Sequence, residues 1–296
     1  MGRSATALLI RGMRGLGDCV YQRAVIRELV GHFDLYLETP WPQLVTDLPI
    51  RCIRAAGTRL HMQNRNLARP DLKWHAAPKR AQERKVSYRG ATDSILSAMM
   101  ESVRVVSKTI TFDLPDFSPM GKSSYIVVRP ATIRRESPMP ARNPMPDYLA
   151  LAAEKLRDHF RIVSVASLAL NVEWPLLPLP YADETFHAGE LRAEQLMALI
   201  AGAAGVVAGV GWAVPVAVAY RVPLFLIYGG CGTYDGPRRI FDPRMPTDLV
   251  HHAIPDHFCE CGNRNHGCDK RIGTIDRQID DWAMGLAARR SVAMAS

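Results

Sequence analysis

Residues 5–30 read ATALLIRGMRGLGDCVYQRAVIRELV. An apolar run from Ala5 to Ile10 enters the turn Arg11-Gly-Met-Arg-Gly-Leu-Gly-Asp18, and a helix-compatible stretch runs on from Cys19 to Val30. A short continuous apolar run is how a strand buried on both faces looks, and glycines punctuate the turn after it. The stretch therefore predicts a strand, a glycine turn and a helix, the opening unit of a parallel α/β sheet.

The pattern continues outward. Asp34–Glu38 and Ile50–Arg54 are predicted strands with a short helix over Trp41–Leu48 between them, and Ala91–Val106 is a predicted helix. Leu114–Pro119 has the composition of a linker. A second series then begins with the strand Tyr125–Arg129, a loop over Pro130–Pro146 and the helix Asp147–Phe160. It proceeds through the strand Arg161–Ala166, a loop past Glu173, the helix Leu191–Ala201, the strand Gly205–Gly209, a short helix over Ala213–Tyr220 and the strand Leu224–Tyr228. Two alternating series in 296 residues exceed one core, so two Rossmann-like αβα domains are expected, 1–118 and 119–296, with a cleft between them.

Apolar residues make up 48% and charged residues 22%, the composition of a packed globular chain rather than a disordered one. The net charge of +8 is local. Residues 1–50 carry five charges of each sign, residues 51–89 carry eleven positive and two negative, and the remainder nets −1. That block holds Arg65, Arg69, Lys73, Lys79 and Arg80, with Trp74 and Tyr88 interleaved. It fits a polyanionic partner, whether nucleic acid or a phosphorylated glycan, and equally a solvated surface segment. The N-terminus has too short an apolar stretch for a signal peptide, so a cytoplasmic protein with reduced thiols is expected. The uncharged run Leu196–Tyr220 is long enough to span a bilayer, but Gly202, Gly205, Gly209, Gly211 and Pro215 divide it into helix-, strand- and helix-like pieces, so no membrane span is expected.

Ligands of such sheets bind at the carboxyl ends of the strands. Three turns there suit phosphate. Gly15-Leu-Gly17-Asp18 puts a carboxylate at a helix start; it lacks the spacing of a dinucleotide fingerprint, and Asp18 also reads as a plain N-cap. Thr132, Arg134, Arg135 and Arg142 follow the strand at 125–129, where paired guanidinium donors match a diphosphate, or form an arginine-rich surface loop. Gly209, Gly211 and Trp212, with Gly229 and Gly230 after the next strand, allow either a ligand or a packed helix to approach the backbone closely. Cys259, Cys261 and Cys268 with His266 and His257 offer ligands for a structural zinc in a spacing unlike standard fingers, or free thiols in a loop.

Residues 8–29, LLIRGMRGLGDCVYQRAVIREL, resemble the opening strand, glycine turn and helix of the ADP-heptose:lipopolysaccharide heptosyltransferases, glycosyltransferase family 9. The resemblance extends to Tyr125–Leu156, to Val207–Gly230 and to the cysteine-bearing tail with the helix that follows it. It implies a GT-B-like fold of two facing domains, with acceptor on the N-terminal side and nucleotide sugar on the C-terminal side. It also implies Asp18 as catalytic base, Gly15, Gly17 and the second and third turns as donor-binding, and an inverting transfer with no metal required. ARNPMPDY, VGWAVPVAVA and the segment PDHFCECGNRNHGCDK also resemble glycosyltransferase-like proteins of tailed bacteriophages. One departure is plain: where the family carries Asp-x-Gly-x-x-His beside the donor, this chain has Val210-Gly-Trp-Ala-Val-Pro215. The expected activity is thus transfer of a sugar from a nucleotide diphosphate to a hydroxyl of a polyanionic acceptor, lipopolysaccharide or another glycan, or hydroxymethylated phage DNA. Residues 65, 69, 73, 79 and 80 are the expected acceptor contacts. The alternative is a catalytically silent module binding nucleotide sugar or nucleic acid. The oligomeric state is left open.

Overall fold

A computed structural model describes residues 6–90, 93–117, 124–169 and 172–295. Ala5, the start of the helix expected from Ala91, and the end of the expected linker with the 118/119 boundary lie outside the described residues. The chain divides into two compact units, one of residues 1–116 with 238–245, the other of residues 117–237 with 246–296. A single cut after residue 118 does not anticipate that the stretch 238–245 packs with the first unit.

In the first unit, β1 (Ala7–Arg11), α1 (Leu16–Arg27), β2 (Asp34–Thr39), β3 (Arg51–Arg54), α2 (His61–Leu67), β4 (Gln82–Lys85) and α3 (Ile95–Ser102) follow in order. The sheet is wholly parallel with strand order β3-β2-β1-β4, and Leu9 of β1 lies between Tyr36 and Glu83. β1 is central because it is apolar on both faces; Leu8 and Ile10 are fully buried. Its neighbour β4 reads Gln-Glu-Arg-Lys, a sequence with no strand signal, yet at the sheet edge its backbone completes the β1 ladder while its side chains remain largely in solvent.

Helix α1 buries Val20, Ala24 and Val25, and also Arg23, which is completely enclosed. Such a charge is tolerable only when paired. Arg23 Nη1 and Nη2 meet the two oxygens of Asp47 at 2.6 and 2.7 Å, Nη2 also reaches Asp113 Oδ1 at 3.1 Å, and Nη1 donates to the Leu44 carbonyl at 2.8 Å. The returning stretch 238–245 is held with equal care. Ser94 and Ser97 donate to Asp242 Oδ2 at 2.5 and 2.7 Å, Arg244 Nε donates to Asp242 Oδ1 at 2.6 Å, and Tyr21 donates to the Ile240 carbonyl at 3.0 Å.

The second unit carries β5 (Tyr125–Arg129), β6 (Thr132–Arg134), α4 (Pro146–Leu156), β7 (Arg161–Val165), β8 (Glu173–Pro175), β9 (Glu184–Phe186), α5 (Ala193–Ala201), β10 (Gly205–Gly209), α6 (Ala213–Ala219), β11 (Leu224–Ile227), α7 (Gly232–Asp235), then α8 (Pro237–Ile240) at the crossover, β12 (Val250–Ala253) and α9 (Ile275–Ala295). Its main sheet is parallel in the order β12-β11-β10-β5-β7-β9, and β6 pairs antiparallel with β8 where the sequence predicts only loop. Ile126, Val128, Val207, Phe225 and Ile227 are fully buried beneath Leu149 and Leu156 of α4 and Ile279 of α9. Gly205 lets Trp282 of α9 lie against the sheet, since a Cβ there would come within 2.8 Å of the indole. The uncharged run at 196–220 is α5, β10 and α6, and no helix among the described residues is long and apolar enough to cross a membrane.

Candidate active site and metal centre

At the carboxyl end of β1 the turn is held from several sides. Gly12 N–H donates to the Glu38 carbonyl at 3.1 Å, Gln22 Oε1 accepts from Met13 N–H at 2.5 Å, and Trp41 Nε1 donates to the Arg14 carbonyl at 2.9 Å. Glu38, nearly buried at the end of β2, pairs with Arg14 at 2.6 Å and with Arg11. Gly15 is the N-cap of α1 and makes no side-chain cap, while Gly17 and Asp18 lie in its first turn. Asp18 is partly exposed, and its Oδ1 accepts from the Tyr88 hydroxyl at 3.1 Å. Tyr88 is itself fixed: Arg239 Nη2 donates to its carbonyl at 2.7 Å, and that guanidinium lies 5.5 Å from the centre of its ring. In the sequence Tyr88 reads only as an aromatic among basic residues, and nothing local links it to Asp18 or Arg239.

Of the cations expected to hold an acceptor, Arg65, Lys73, Lys79 and Arg80 are exposed, while Arg69 is tied to Asp71 by two contacts of 3.1 and 2.5 Å. The pairing reduces what Arg69 has to offer a phosphate.

The arginines after β5 separate into two groups. Arg129 Nη2 donates to Glu173 Oε2 at 2.7 Å and to the Thr132 hydroxyl at 3.0 Å; that hydroxyl lies 3.3 Å from the same carboxylate. Arg134 Nε stands 3.7 Å from Glu136 and 3.8 Å from Glu173. Burial pushes the Glu173 carboxyl up, but Arg129, the Ser167 amide and Arg134 outweigh it and hold the group below its ordinary value. Arg129 and Arg134 are thereby balanced by Glu173 and Glu136, and Thr132 is committed to the same cluster. Arg135 is exposed.

Arg142 belongs to a different constellation. Its Nη2 would lie 3.5 Å from a Cβ on Gly211, next to Trp212 at the start of α6; Gly229 packs so closely on the Arg142–Asn143 backbone that any side chain there would overlap it; and Pro144 lies against Gly209. Asn143 Nδ2 donates to the Thr132 carbonyl at 2.9 Å, tying the far end of the second turn back to its start beside β5. Beneath Arg142, at 4.0 Å from its Nε, sits Asp235 with a side chain only 9% exposed. Burial raises its pKa, against the pull of Arg142 and Arg264, and its Oδ2 has no hydrogen-bond partner among the described residues. Nothing local in the sequence singles out Asp235 or Arg264, since the burial of the one and the placing of the other depend on segments distant along the chain.

Cys259, Cys261, His266 and Cys268 bring their ligand atoms within 4.8 Å of one another. Cys261 and Cys268 Sγ are 3.7 Å apart, and His266 Nδ1 is 3.5 Å from Cys259 Sγ and 3.3 Å from Cys268 Sγ. Thiolates about 2.3 Å from a tetrahedral zinc stand about 3.8 Å from each other, so the four could hold a metal such as zinc. His257 is not one of them. The loop is fastened to the Arg142 region: Gly230 N–H donates to the Ala141 carbonyl at 2.7 Å, Ala141 N–H to the Arg264 carbonyl at 3.0 Å, and Lys270 Nζ to the Pro140 carbonyl at 2.8 Å. Gly230 serves this packing, since a Cβ there would overlap Cys268.

No family model matches the sequence, and no curated protein matches it. Solved structures do. The iron-containing dodecameric glycosyltransferase TibC of enterotoxigenic Escherichia coli superposes with a TM-score of 0.62 at 14% identity, over 98% of this chain and 77% of that one. A family 9 glycosyl transferase from Veillonella parvula gives 0.60 at 10% identity over 98% and 99% of the two chains. The E. coli ADP-heptose lipopolysaccharide heptosyltransferase II gives 0.57 at 12% identity over 95% and 99%. Likeness at such identities speaks of architecture, and with the parallel sheets just described it establishes the expected α/β arrangement: the chain has the GT-B-like fold of these proteins.

Proposed function

We propose that this chain is a glycosyltransferase that moves a sugar from a nucleotide diphosphate to a hydroxyl of a polyanionic acceptor. The observation that carries the reading is Asp18, a partly exposed carboxylate at the carboxyl end of the first strand, fixed by Tyr88 in a turn wired on every side. The fold supports it, since the similar structures include proteins named for heptosyl transfer from ADP-heptose. Asp18 takes the proton of the acceptor hydroxyl as its oxygen attacks the anomeric carbon, and the nucleoside diphosphate leaves from the opposite face with inversion. Arg142 and Arg135 meet the charge on the departing diphosphate, so no metal is assigned to the chemistry. Within the second unit Gly209, Gly211, Trp212 and Gly229 shape the donor's surroundings; Thr132 and Arg134 act behind them through Glu173.

The Cys/His cluster fits a structural zinc, which would tie residues 259–268 into a rigid loop. The acceptor meets Arg65, Lys73, Lys79 and Arg80. A phosphorylated glycan such as lipopolysaccharide and hydroxymethylated phage DNA both suit them, the second following from the resemblance to phage proteins, with activity in a bacterial cytoplasm. A second reading, a silent binding module, is favoured by Val210–Pro215, which supplies neither an acid nor a histidine beside the donor. A thermal-shift panel of nucleotide diphosphate sugars, followed by transfer assays with the ligand found, tests the proposal. Asp18-dependent transfer or hydrolysis establishes the enzyme; binding without turnover establishes the silent module.

A further inference from the structure

Four arginines of the second unit lie near the carboxyl end of β5, and the carboxylates around them decide which can receive an anion. Arg129 and Arg134 are matched by Glu173 and Glu136. Among the carboxylates of the described residues Arg142 pairs with Asp235 alone, at 4.0 Å. The fifth guanidinium comes from the Cys/His loop. The Arg264 carbonyl accepts from the amide of Ala141, directly beside Arg142, and its guanidinium carbon lies 5.8 Å from the ring centre of Tyr234, directly beside Asp235. Arg142 lies 4.0 Å from one buried carboxylate with an unpartnered oxygen among the described residues, and Arg264, from the neighbouring segment, is near enough to lower that carboxyl's pKa. Two cations over one anion leave a net positive charge, and a buried acceptor without a donor is costly. Both conditions are relieved when an anion draws the two guanidiniums together and one of them turns to Asp235 Oδ2.

We propose that Arg264, delivered by the loop that Cys259, Cys261, His266 and Cys268 enclose, is a binding residue for the donor's diphosphate together with Arg142. This rests on the glycosyltransferase reading and extends it, for it makes the metal loop part of the donor site. Binding of metal and of diphosphate are then linked and reciprocal: filling the Cys/His cluster positions Arg264, and a bound diphosphate holds the loop closed on its metal. The loop's position follows from the Ala141–Arg264 and Lys270–Pro140 hydrogen bonds, and Gly230 leaves room for Cys268 to complete it.

The test uses the full chain as purified with its metal, and inorganic pyrophosphate as a probe independent of base and sugar. Calorimetric titration of wild type, Arg264→Gln, Arg264→Lys and Cys268→Ser is accompanied by metal analysis. Loss of one charge-assisted contact corresponds to a drop of roughly tenfold to a hundredfold. Arg264→Gln should show that drop with metal content unchanged, and Arg264→Lys should recover part of it. Cys268→Ser should lose metal and weaken pyrophosphate to a similar degree, with no further loss when combined with Arg264→Gln. Pyrophosphate should in turn slow removal of the metal by a chelator from wild type. If Arg264→Gln binds pyrophosphate as wild type does, or loses metal along with it, the assignment is overturned while the glycosyltransferase reading stands. If wild type binds neither pyrophosphate nor any nucleoside diphosphate, both fall.

Discussion

Tyr88 donates its hydroxyl to Asp18 Oδ1 over 3.1 Å, across seventy residues of sequence. The contact leaves the carboxylate oriented rather than free to rotate. Asp18→Asn keeps the shape and removes the base, so it should reduce transfer by about a thousandfold or more with an unchanged circular dichroism spectrum. Tyr88→Phe should lower kcat by about tenfold, the value of a hydrogen bond to a charged group, with little effect on donor KM. Turnover by Asp18→Asn at the wild-type rate would remove Asp18 from the mechanism.

Arg23 is the buried hub that joins α1 to Asp47 and Asp113. Arg23→Ala empties a fully enclosed volume and takes a donor from the Leu44 carbonyl, while Asp47 and Asp113 are partly exposed and Asp113 keeps Arg27. The first unit should therefore lose about 2–5 kcal/mol in urea unfolding, most of it from the cavity. A loss under about 1 kcal/mol would mean that water replaces the guanidinium at little cost.

Acid should loosen the stretch 238–245. Burial works against ionisation of Asp242, but Arg244, Ser94 and Ser97 outweigh it and hold the carboxyl well below the usual range. A folded-state pKa below the unfolded one means the stabilisation is complete above about pH 4 and drains away as pH falls further. Stability measured from pH 6 to pH 3 should therefore slope downward at the acid end, and Asp242→Asn should be less stable at pH 6 and show a flatter slope.

Metal analysis of purified protein should find about one ion per chain, and Cys261→Ser should abolish it and lower Tm. Gly230→Ala, which leaves all four ligands intact, should also lose metal because its methyl group would occupy the place of Cys268. A Gly230→Ala protein with full occupancy would show that the loop is free to shift.

The exposed cations at 73, 79 and 80 give the acceptor proposal a quantitative handle. For duplex DNA each neutralised phosphate contributes about 0.9 to the slope of log affinity against log salt. Replacing Lys73, Lys79 and Arg80 by Gln should lower that slope by up to about 3, whereas Arg69→Gln, already paired with Asp71, should change it less. Binding to lipopolysaccharide measured in parallel separates the two acceptors.

The sequence speaks clearly where burial is two-sided. The runs at 8–10, 125–128 and 205–209 are uniformly apolar because neighbours and helices cover both faces, and each is found as a strand close to its expected bounds. β4 was illegible because an edge strand draws its stability from main-chain pairing and leaves its side chains to solvent. Asp18 could be found from its glycine turn. Its partner Tyr88 could not, since their meeting depends on the path of residues 51–89 and on Arg239 from far along the chain. The approach of Arg134 to Glu173, thirty-nine residues on, is not legible either, since the stretch around Glu173 reads as loop.

The stretch 238–245 also governs the order in which the molecule can be made. The Ser94 and Ser97 bonds to Asp242, and the Tyr21 bond to the Ile240 carbonyl, have to wait for that stretch, so a nascent first unit emerges without these contacts. The unit is completed only after most of the second has left the ribosome, and residues 1–116 expressed alone should be unstable until a peptide spanning 237–246 is supplied.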